Sequence, residues 1–308
     1  MGILIIRQDE KMPEWLAAFK VIDSSVKVVD FREPHDKESI TMALVWKQAH
    51  GYLSQYPNLK CVASMGAGVD FIFKDPSYCT SIPMTRVVDP MLITDMEEFV
   101  TAQVYAHLKG LYDYKVKQHD TLWSQQPYLR KKDVTIGVMG LGVLGAGAAS
   151  ALERQGFKVQ GWSVTKKNIS GVKSYDKDHL NTFLSRSNIL ICLLPLTPTT
   201  EGILNIATFS ALPKGAFLIH VARGPHLLET DLLKALNSGQ LSGAAIDVFH
   251  HEPLNKAHVF WKHPKVHITP HCASISSPES VVPQILANYN ALMNGQPLLN
   301  QVNTEKGY

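Results

Sequence analysis

The feature that most constrains this chain is Gly140-Leu141-Gly142-Val143-Leu144-Gly145. It follows an apolar run, Val134–Met139, and opens a stretch of small residues, Ala146-Gly147-Ala148-Ala149-Ser150-Ala151-Leu152. The apolar run reads as a buried strand and the small-residue stretch as a helix packed close against it. In that setting the first glycine permits a tight turn and the second lets backbone approach a pyrophosphate. The third lets helix and strand pack closely, and the helix N-terminus faces the phosphates. Gly140 through Gly145 are therefore expected to cradle a dinucleotide. A merely structural glycine turn is the plainer alternative, and the flanking strand and helix weigh against it.

The residue that chooses between dinucleotides stands about 20 positions further on, at the end of the next strand. Here that stretch reads Gly161-Trp162-Ser163-Val164-Thr165-Lys166-Lys167, and no Asp or Glu occurs from Gln155 through Tyr175. The carboxylate that would accept from an adenosine ribose 2′-hydroxyl is missing. Ser163, Thr165 and Lys166 instead offer hydroxyls and a cation, which suit a 2′-phosphate. The expectation is NADPH in preference to NADH; the rival reading makes Lys166 and Lys167 ordinary surface charges.

A chain of 308 residues is too long for one ordinary core and suggests two domains. In the first third, Ile3–Ile6, Val26–Phe31, Met42–Trp46, Lys60–Ser64 and Pro83–Val88 read as strands, with helices over Pro13–Lys20 and Gln48–Tyr56. A long amphipathic segment runs from about Asp95 to Gln118, with Phe99, Val100, Val104, Leu108 and Leu111 at helical spacing. A second series from Asp133 has strand candidates at Val134–Met139, Lys158–Trp162, Asn188–Leu194, Ala216–Val221, Ser242–Val248 and Val266–Ile268. Helical stretches intervene, and Pro278–Met293 forms the last one. This βαβ alternation means parallel sheets.

Composition excludes several classes. A net charge of +3 with no polybasic run gives no nucleic-acid footprint. No apolar stretch approaches the ~18–20 residues that span a bilayer. The four cysteines form no CxxC, and nothing in their spacing implies disulfides or a metal. A cytoplasmic protein is expected.

Three strand ends in the second half carry reactive side chains: Arg223 after Val221-Ala222, Glu252 in Asp247-Val248-Phe249-His250-His251-Glu252-Pro253, and His271 in Thr269-Pro270-His271. Open α/β sheets hold ligands at strand ends. Arginine can clamp a carboxylate at two points, histidine can donate a proton, and a carboxylate beside histidine favours its charged form. Each has a duller rival: a surface arginine, a turn glutamate, one of 13 histidines. Their joint occurrence at strand ends points to acid-assisted reduction of a small keto acid.

Together with Ala63-Ser64-Met65-Gly66-Ala67-Gly68-Val69-Asp70, these motifs in this order resemble the D-2-hydroxyacid dehydrogenase family over nearly the whole length. Gly161-Trp162-Ser163 with the basic residues after it, and the C-terminal Gln301-Val302 and Gly307-Tyr308, resemble the glyoxylate/hydroxypyruvate reductase A type within it. The resemblance implies an α/β fold of two flavodoxin- or Rossmann-like domains with parallel sheets and the active site in the cleft between them. Residues 1–97 with 283–308 would form the substrate-binding domain, and 98–282 the dinucleotide domain. It implies that Arg223 binds the keto acid's carboxylate and C2 oxygen, that His271 protonates that oxygen, and that Glu252 hydrogen-bonds His271. Met65, Gly66, Ala67 and Gly68 would hold the carboxylate through their backbone; read alone, the glycines there allow an anion nest, but a plain strand-to-helix turn is the favoured reading. Leu194, Pro195, Val221 and Ala222 would line the cofactor cleft, with Asp247 near the nicotinamide. Trp46, at the end of a first-domain strand, is a candidate wall for the substrate pocket. Glyoxylate and hydroxypyruvate are the implied substrates and a homodimer the implied assembly. The alternatives are a bulkier 2-keto acid, or a dinucleotide-sensing protein that binds partners without turnover.

Overall fold

The computed structural model describes all 308 residues. The chain divides into two compact units, Met1–Met91 with Ile275–Tyr308, and Leu92–Ser274.

The first unit is a five-stranded sheet of β1 (Gly2–Arg7), β2 (Val28–Asp30), β3 (Ile40–Trp46), β4 (Cys61–Ser64) and β5 (Met84–Thr85). Their order is β2-β1-β3-β4-β5, every pair parallel. Strand β1 is buried along its length, which is why it reads as unbroken apolar sequence rather than alternation. Helix α1 (Met12–Ile22) tucks Trp15 and Phe19 into the core, and the short α2 (Asp70–Phe73) follows β4. The C-terminal helix, Pro278–Met293, packs on α1 and is tied to the segment after β5. There Ser280 donates to Asp89 (2.5 Å) and Gln284 donates to the Arg86 carbonyl (3.2 Å).

Two expectations fail in this unit. Gln48–Tyr56 is not a helix but carries one 3₁₀ turn, Leu53–Gln55. Gly51 sits at φ 79°, in the left-handed region, and its N–H is drawn to the Asp75 carboxylate (3.1 Å). The expected strand over Pro83–Val88 shrinks to two residues. Arg86 N–H turns to the Asn300 carbonyl and Val87 N–H to that of Gly66.

In the second unit the amphipathic segment is two helices, α3 (Pro90–Leu108) and α4 (Leu111–His119), broken at Gly110 (φ 65°). Leu92, Met96, Val100, Val104 and Leu108 recur every fourth residue and form the buried stripe of α3. The last four of these join Val134, Ile136, Val138 and Ile191 in one core cluster. That packing ties α3 to the second unit.

Seven parallel strands follow: β6 (Thr135–Met139), β7 (Lys158–Trp162), β8 (Lys173–Tyr175), β9 (Ile189–Cys192), β10 (Ala216–His220), β11 (Leu241–Ile246) and β12 (Val266–Ile268). Their order is β12-β11-β10-β9-β6-β7-β8. Helices α5 (Val143–Arg154), α6 (Leu180–Leu184), α7 (Ile206–Ala211) and α8 (Glu229–Asn237) connect them, and Pro278–Met293 is α9. Strand β8 was not expected: it is three residues long and opens with lysine. It pairs with β7 through Trp162 opposite Tyr175. The strand order reverses between β6 and β9, and the C-terminal end of such a reversal is where doubly wound sheets bind ligands. No helix is long and apolar enough to cross a membrane.

Candidate active site

All seven strands of the second unit run parallel, so their C-terminal ends share one edge. Along that edge stand, in sheet order, His271 after β12, Glu252 beyond β11, Arg223 after β10, Leu194-Pro195 after β9, Gly140–Gly145 after β6 and Ser163–Lys166 after β7.

The glycine turn is built as its spacing predicts. Gly140 has φ 99°, and a Cβ there would lie 2.6 Å from the Leu193 carbonyl oxygen. A Cβ on Gly145 would lie 1.8 Å from the Gly140 oxygen, so only glycine lets α5 approach. Gly142 differs: its φ is ordinary and a Cβ would meet nothing within 4 Å. It precedes the first turn of α5 and no side chain caps that helix. Open space before uncapped N–H groups suits a pyrophosphate. Leu141 turns inward and is 4 % exposed, packed on Gly161, so it offers a ligand only backbone. Val143 is exposed, Leu144 half-buried.

Thr165 and Lys166 are exposed beyond β7, and Ser163 Oγ donates to the Thr165 carbonyl (2.8 Å). The structure adds an acid absent from the local sequence. Asp176, just after β8, lies 3.9 Å from Lys166 Nζ. Its carboxyl is held below its ordinary pKa chiefly by a hydrogen bond with His179.

His271 follows β12 with φ 52°, a conformation unfavourable for a side chain larger than glycine. Asp247 enforces it. Its carbonyl accepts from His271 N–H (2.8 Å), and its carboxylate accepts from Thr269 Oγ1 (2.6 Å), Cys272 N–H (3.0 Å) and Ala273 N–H (3.0 Å). Asp247 is 1 % exposed, so its carboxylate is spent on shaping this turn. His271 Nδ1 donates to Glu252 Oε2 at 2.8 Å, while Glu252 Oε1 accepts from Phe249 N–H (3.1 Å). The carboxylate fixes the tautomer of the neutral ring: Nδ1 carries the proton. Of the neighbouring histidines, His267 stacks on Tyr112 with ring centres 3.6 Å apart, and His258 meets Glu229 but accepts from Phe260 N–H with its other nitrogen. Cys272 is exposed, but partial desolvation and the nearby Asp247 raise its thiol pKa, which argues against a reactive thiolate.

Arg223 is extended (φ −144°, ψ 139°) and half-buried, and its Nη1 donates to the Ala222 carbonyl (2.7 Å). The next residue must be glycine, because a Cβ on Gly224 would lie 2.0 Å from the Phe249 carbonyl carbon. That contact holds the Arg223 turn against the loop that carries Glu252. Val221 and Ala222 are buried, as is Leu194, with Pro195 half-buried beside it.

In the first unit, Trp46 at the end of β3 does lie against the glycine loop after β4: a Cβ on Gly66 would sit 3.1 Å from its ring. The loop has fewer free donors than its glycines suggest. Met65 N–H is bound to the Val45 carbonyl and Gly66 N–H to Ser64 Oγ (3.2 Å). Met65 is 2 % exposed, its sulfur against Arg7 (3.5 Å). Neither glycine has a left-handed φ. The half-buried Ala67 and Gly68 remain as the loop's backbone donors.

A parallel doubly wound sheet with a dinucleotide turn and a histidine–carboxylate pair at its carboxyl edge defines a nicotinamide-dinucleotide oxidoreductase. The chain belongs to the D-isomer specific 2-hydroxyacid dehydrogenases; that family's NAD binding domain matches residues 101–273. It is 37 % identical over its full length to the glyoxylate/hydroxypyruvate reductase A of Yersinia enterocolitica, all of which is covered, and 38 % identical to that of Serratia proteamaculans, again over all of both chains. Among solved structures it is similar to a D-isomer specific 2-hydroxyacid dehydrogenase from Xanthobacter autotrophicus in complex with NADPH and MES, with a TM-score of 0.94 and 36 % identity over 100 % of this chain and 99 % of that one. An NADPH-dependent glyoxylate/hydroxypyruvate reductase from Sinorhizobium meliloti, in complex with NADP and sulfate, matches with a TM-score of 0.93 at 36 % identity over all of both chains.

Proposed function

We propose that this chain reduces small 2-keto acids with NADPH, taking glyoxylate to glycolate and hydroxypyruvate to D-glycerate. The observation that carries this reading is the 2.8 Å pair of His271 and Glu252, on the same sheet edge as Arg223 and the glycine turn. The reductases named above, similar over the whole chain, support the substrate class.

When bound, NADPH would supply a hydride to C2 of the keto acid. The protein supplies the rest. Arg223 binds the carboxylate and the C2 oxygen with its planar guanidinium, a two-point contact that lysine cannot match. Negative charge grows on the C2 oxygen as the carbonyl is reduced, and fixed donors stabilise it. His271 Nε2 gives its proton to that oxygen, leaving a neutral imidazole that reloads from water. Glu252 orients the ring through Nδ1, leaving Nε2 for the proton transfer. Asp247 acts through the 269–273 turn, holding His271 in place rather than meeting a ligand. Within the first unit, Ala67 and Gly68 N–H groups are the donors we assign to an anion, and Trp46 lies against that loop.

Ser163, Thr165 and Lys166 are the groups we assign to the 2′-phosphate, with Lys166 Nζ resting 3.9 Å from Asp176. Four unpaired cysteines fit a reducing cytoplasm. A homodimer is supported by the apolar side chains exposed on and after α4, with Leu111 56 %, Leu122 59 % and Trp123 104 % exposed. Sedimentation at micromolar concentration tests that assembly.

The decisive assay is steady-state reduction of a keto-acid panel with NADPH. The proposal expects kcat/KM highest for glyoxylate and hydroxypyruvate. A maximum at a branched or aromatic keto acid favours the bulkier-substrate alternative. NADPH binding without turnover on any acid favours the sensor reading and overturns the proposal.

A further inference from the structure

We infer that His220 and His226 are positioning residues for the carboxylate clamp, because both imidazoles converge on the one carbonyl oxygen of Arg223. This rests on the reading of Arg223 given above and deepens it.

His220 Nε2 lies 2.9 Å from that oxygen, His226 Nδ1 2.9 Å, and His226 backbone N–H 3.1 Å. A carbonyl oxygen has two lone pairs, and the backbone N–H of the turn satisfies one. Two imidazoles are more than local structure requires. Both rings are wholly buried, at 0 % exposure. His220 ends the interior strand β10, where a leucine would fill the space with no polar group to desolvate. Its Nδ1 has no partner at all, a cost a stabilising core residue would not carry. Burial keeps the ring neutral, with its pKa lowered to about 3, so Nε2 holds the one proton and Arg223 receives it.

His226 extends the arrangement. Its Nε2 lies 3.2 Å from the Pro195 carbonyl, which already accepts from Thr200 Oγ1 (2.7 Å), so the ring's one proton is assigned to Nδ1 and the shorter contact with Arg223. The ring thus sits between the ends of β10 and β9. The turn is held from its other side by Gly224 on the Phe249 backbone, and further along by His250 Nε2 on the Leu227 carbonyl (2.8 Å). With its carbonyl fixed, the Arg223 peptide cannot rotate, and the origin of the guanidinium is set. A misplacement of about 1 Å in such a group costs on the order of 100-fold in rate.

The test is a set of variants assayed with hydroxypyruvate and NADPH. His220→Leu and His226→Phe remove the donors with little loss of volume; His220→Gln and His226→Gln keep an N–H. We expect the first two to lose roughly 10- to 100-fold in kcat/KM, mainly through the keto-acid KM, with NADPH Kd by fluorescence titration within about twofold. The glutamine variants should recover most of the loss. In an Arg223→Ala background, His220→Leu should cost nothing further, since a positioning residue has nothing left to position. If one apolar variant does not fold, the other and the glutamine pair carry the test. Full activity in His220→Leu, or a loss that multiplies with that of Arg223→Ala, overturns the inference. Full activity in Arg223→Ala itself would instead remove the clamp reading beneath it.

Discussion

His271 Nδ1 and Glu252 Oε2 lie 2.8 Å apart, and each is held independently of the other: His271 by the Asp247-bound turn, Glu252 by Phe249 N–H. The ring orientation is thus set before any substrate arrives. Removing the carboxylate's charge while keeping its shape isolates its electrostatic part. In Glu252→Gln the ring loses the carboxylate that orients it through Nδ1, so kcat/KM for keto-acid reduction should fall roughly 10- to 100-fold with NADPH affinity unchanged. Wild-type kcat/KM in this variant contradicts the pairing.

Arg223→Ala should lower kcat/KM for glyoxylate by roughly 100- to 1000-fold, through both lost binding and lost stabilisation of the developing oxyanion. Arg223→Lys should recover little, because a point charge replaces a two-point contact. Steady-state kinetics of the two variants against wild type provide the check.

The glycine turn makes opposite predictions for two neighbouring residues. Gly145→Ala forces a methyl to within 1.8 Å of the Gly140 oxygen and should cost about 1–3 kcal/mol of stability. Gly142→Ala meets no protein atom and should leave the melting temperature unchanged while weakening NADPH binding at least tenfold. Thermal melts with NADPH titrations separate the two; equal effects on both would contradict the assigned roles.

Cofactor choice rests on the residues beyond β7. Lys166→Ala should reduce the preference for NADPH over NADH about tenfold, the scale of one charge-assisted hydrogen bond. Ser163→Asp should reverse it, since a carboxylate there repels a phosphate and accepts from a ribose hydroxyl. Ratios of kcat/KM for the two dinucleotides report both changes.

Acid should destabilise the fold through buried histidines. Burial lowers the pKa of His220 to about 3 and of His107 to about 4, against 6.5 when unfolded. Between those values the unfolded chain binds protons that the folded one does not, so stability is full above pH 6.5 and falls as pH drops towards 4. Each group contributes on the order of 1 kcal/mol per pH unit over that window. Denaturant melts at pH 7.5 and pH 5 should show the loss, and His107→Leu should lessen it.

Several elements were legible as short patterned stretches bounded by turn residues: Lys158–Trp162, Val266–Ile268 and the helix Pro278–Met293 match the structure residue for residue. What failed depended on partners far away in sequence. Gln48–Tyr56 has helical composition, yet Asp75 pulls Gly51 out of register. Strand β8 exists because β7 offers it an edge, and it delivers Asp176 to the loop that the local sequence showed as free of acids. The N–H groups of Met65 and Gly66 are spent on Val45 and Ser64, and Asp247 on its own turn, none of which spacing reveals. The His220 and His226 contacts to Arg223 needed coordinates as well, although a histidine closing an apolar strand was a visible oddity.

The most direct test of acid-assisted reduction is the rate of NADPH oxidation with hydroxypyruvate for wild type and His271→Gln. The proposed mechanism predicts turnover by wild type and a loss of roughly 100- to 10,000-fold in the variant with NADPH affinity intact. Turnover by His271→Gln at the wild-type rate would contradict it.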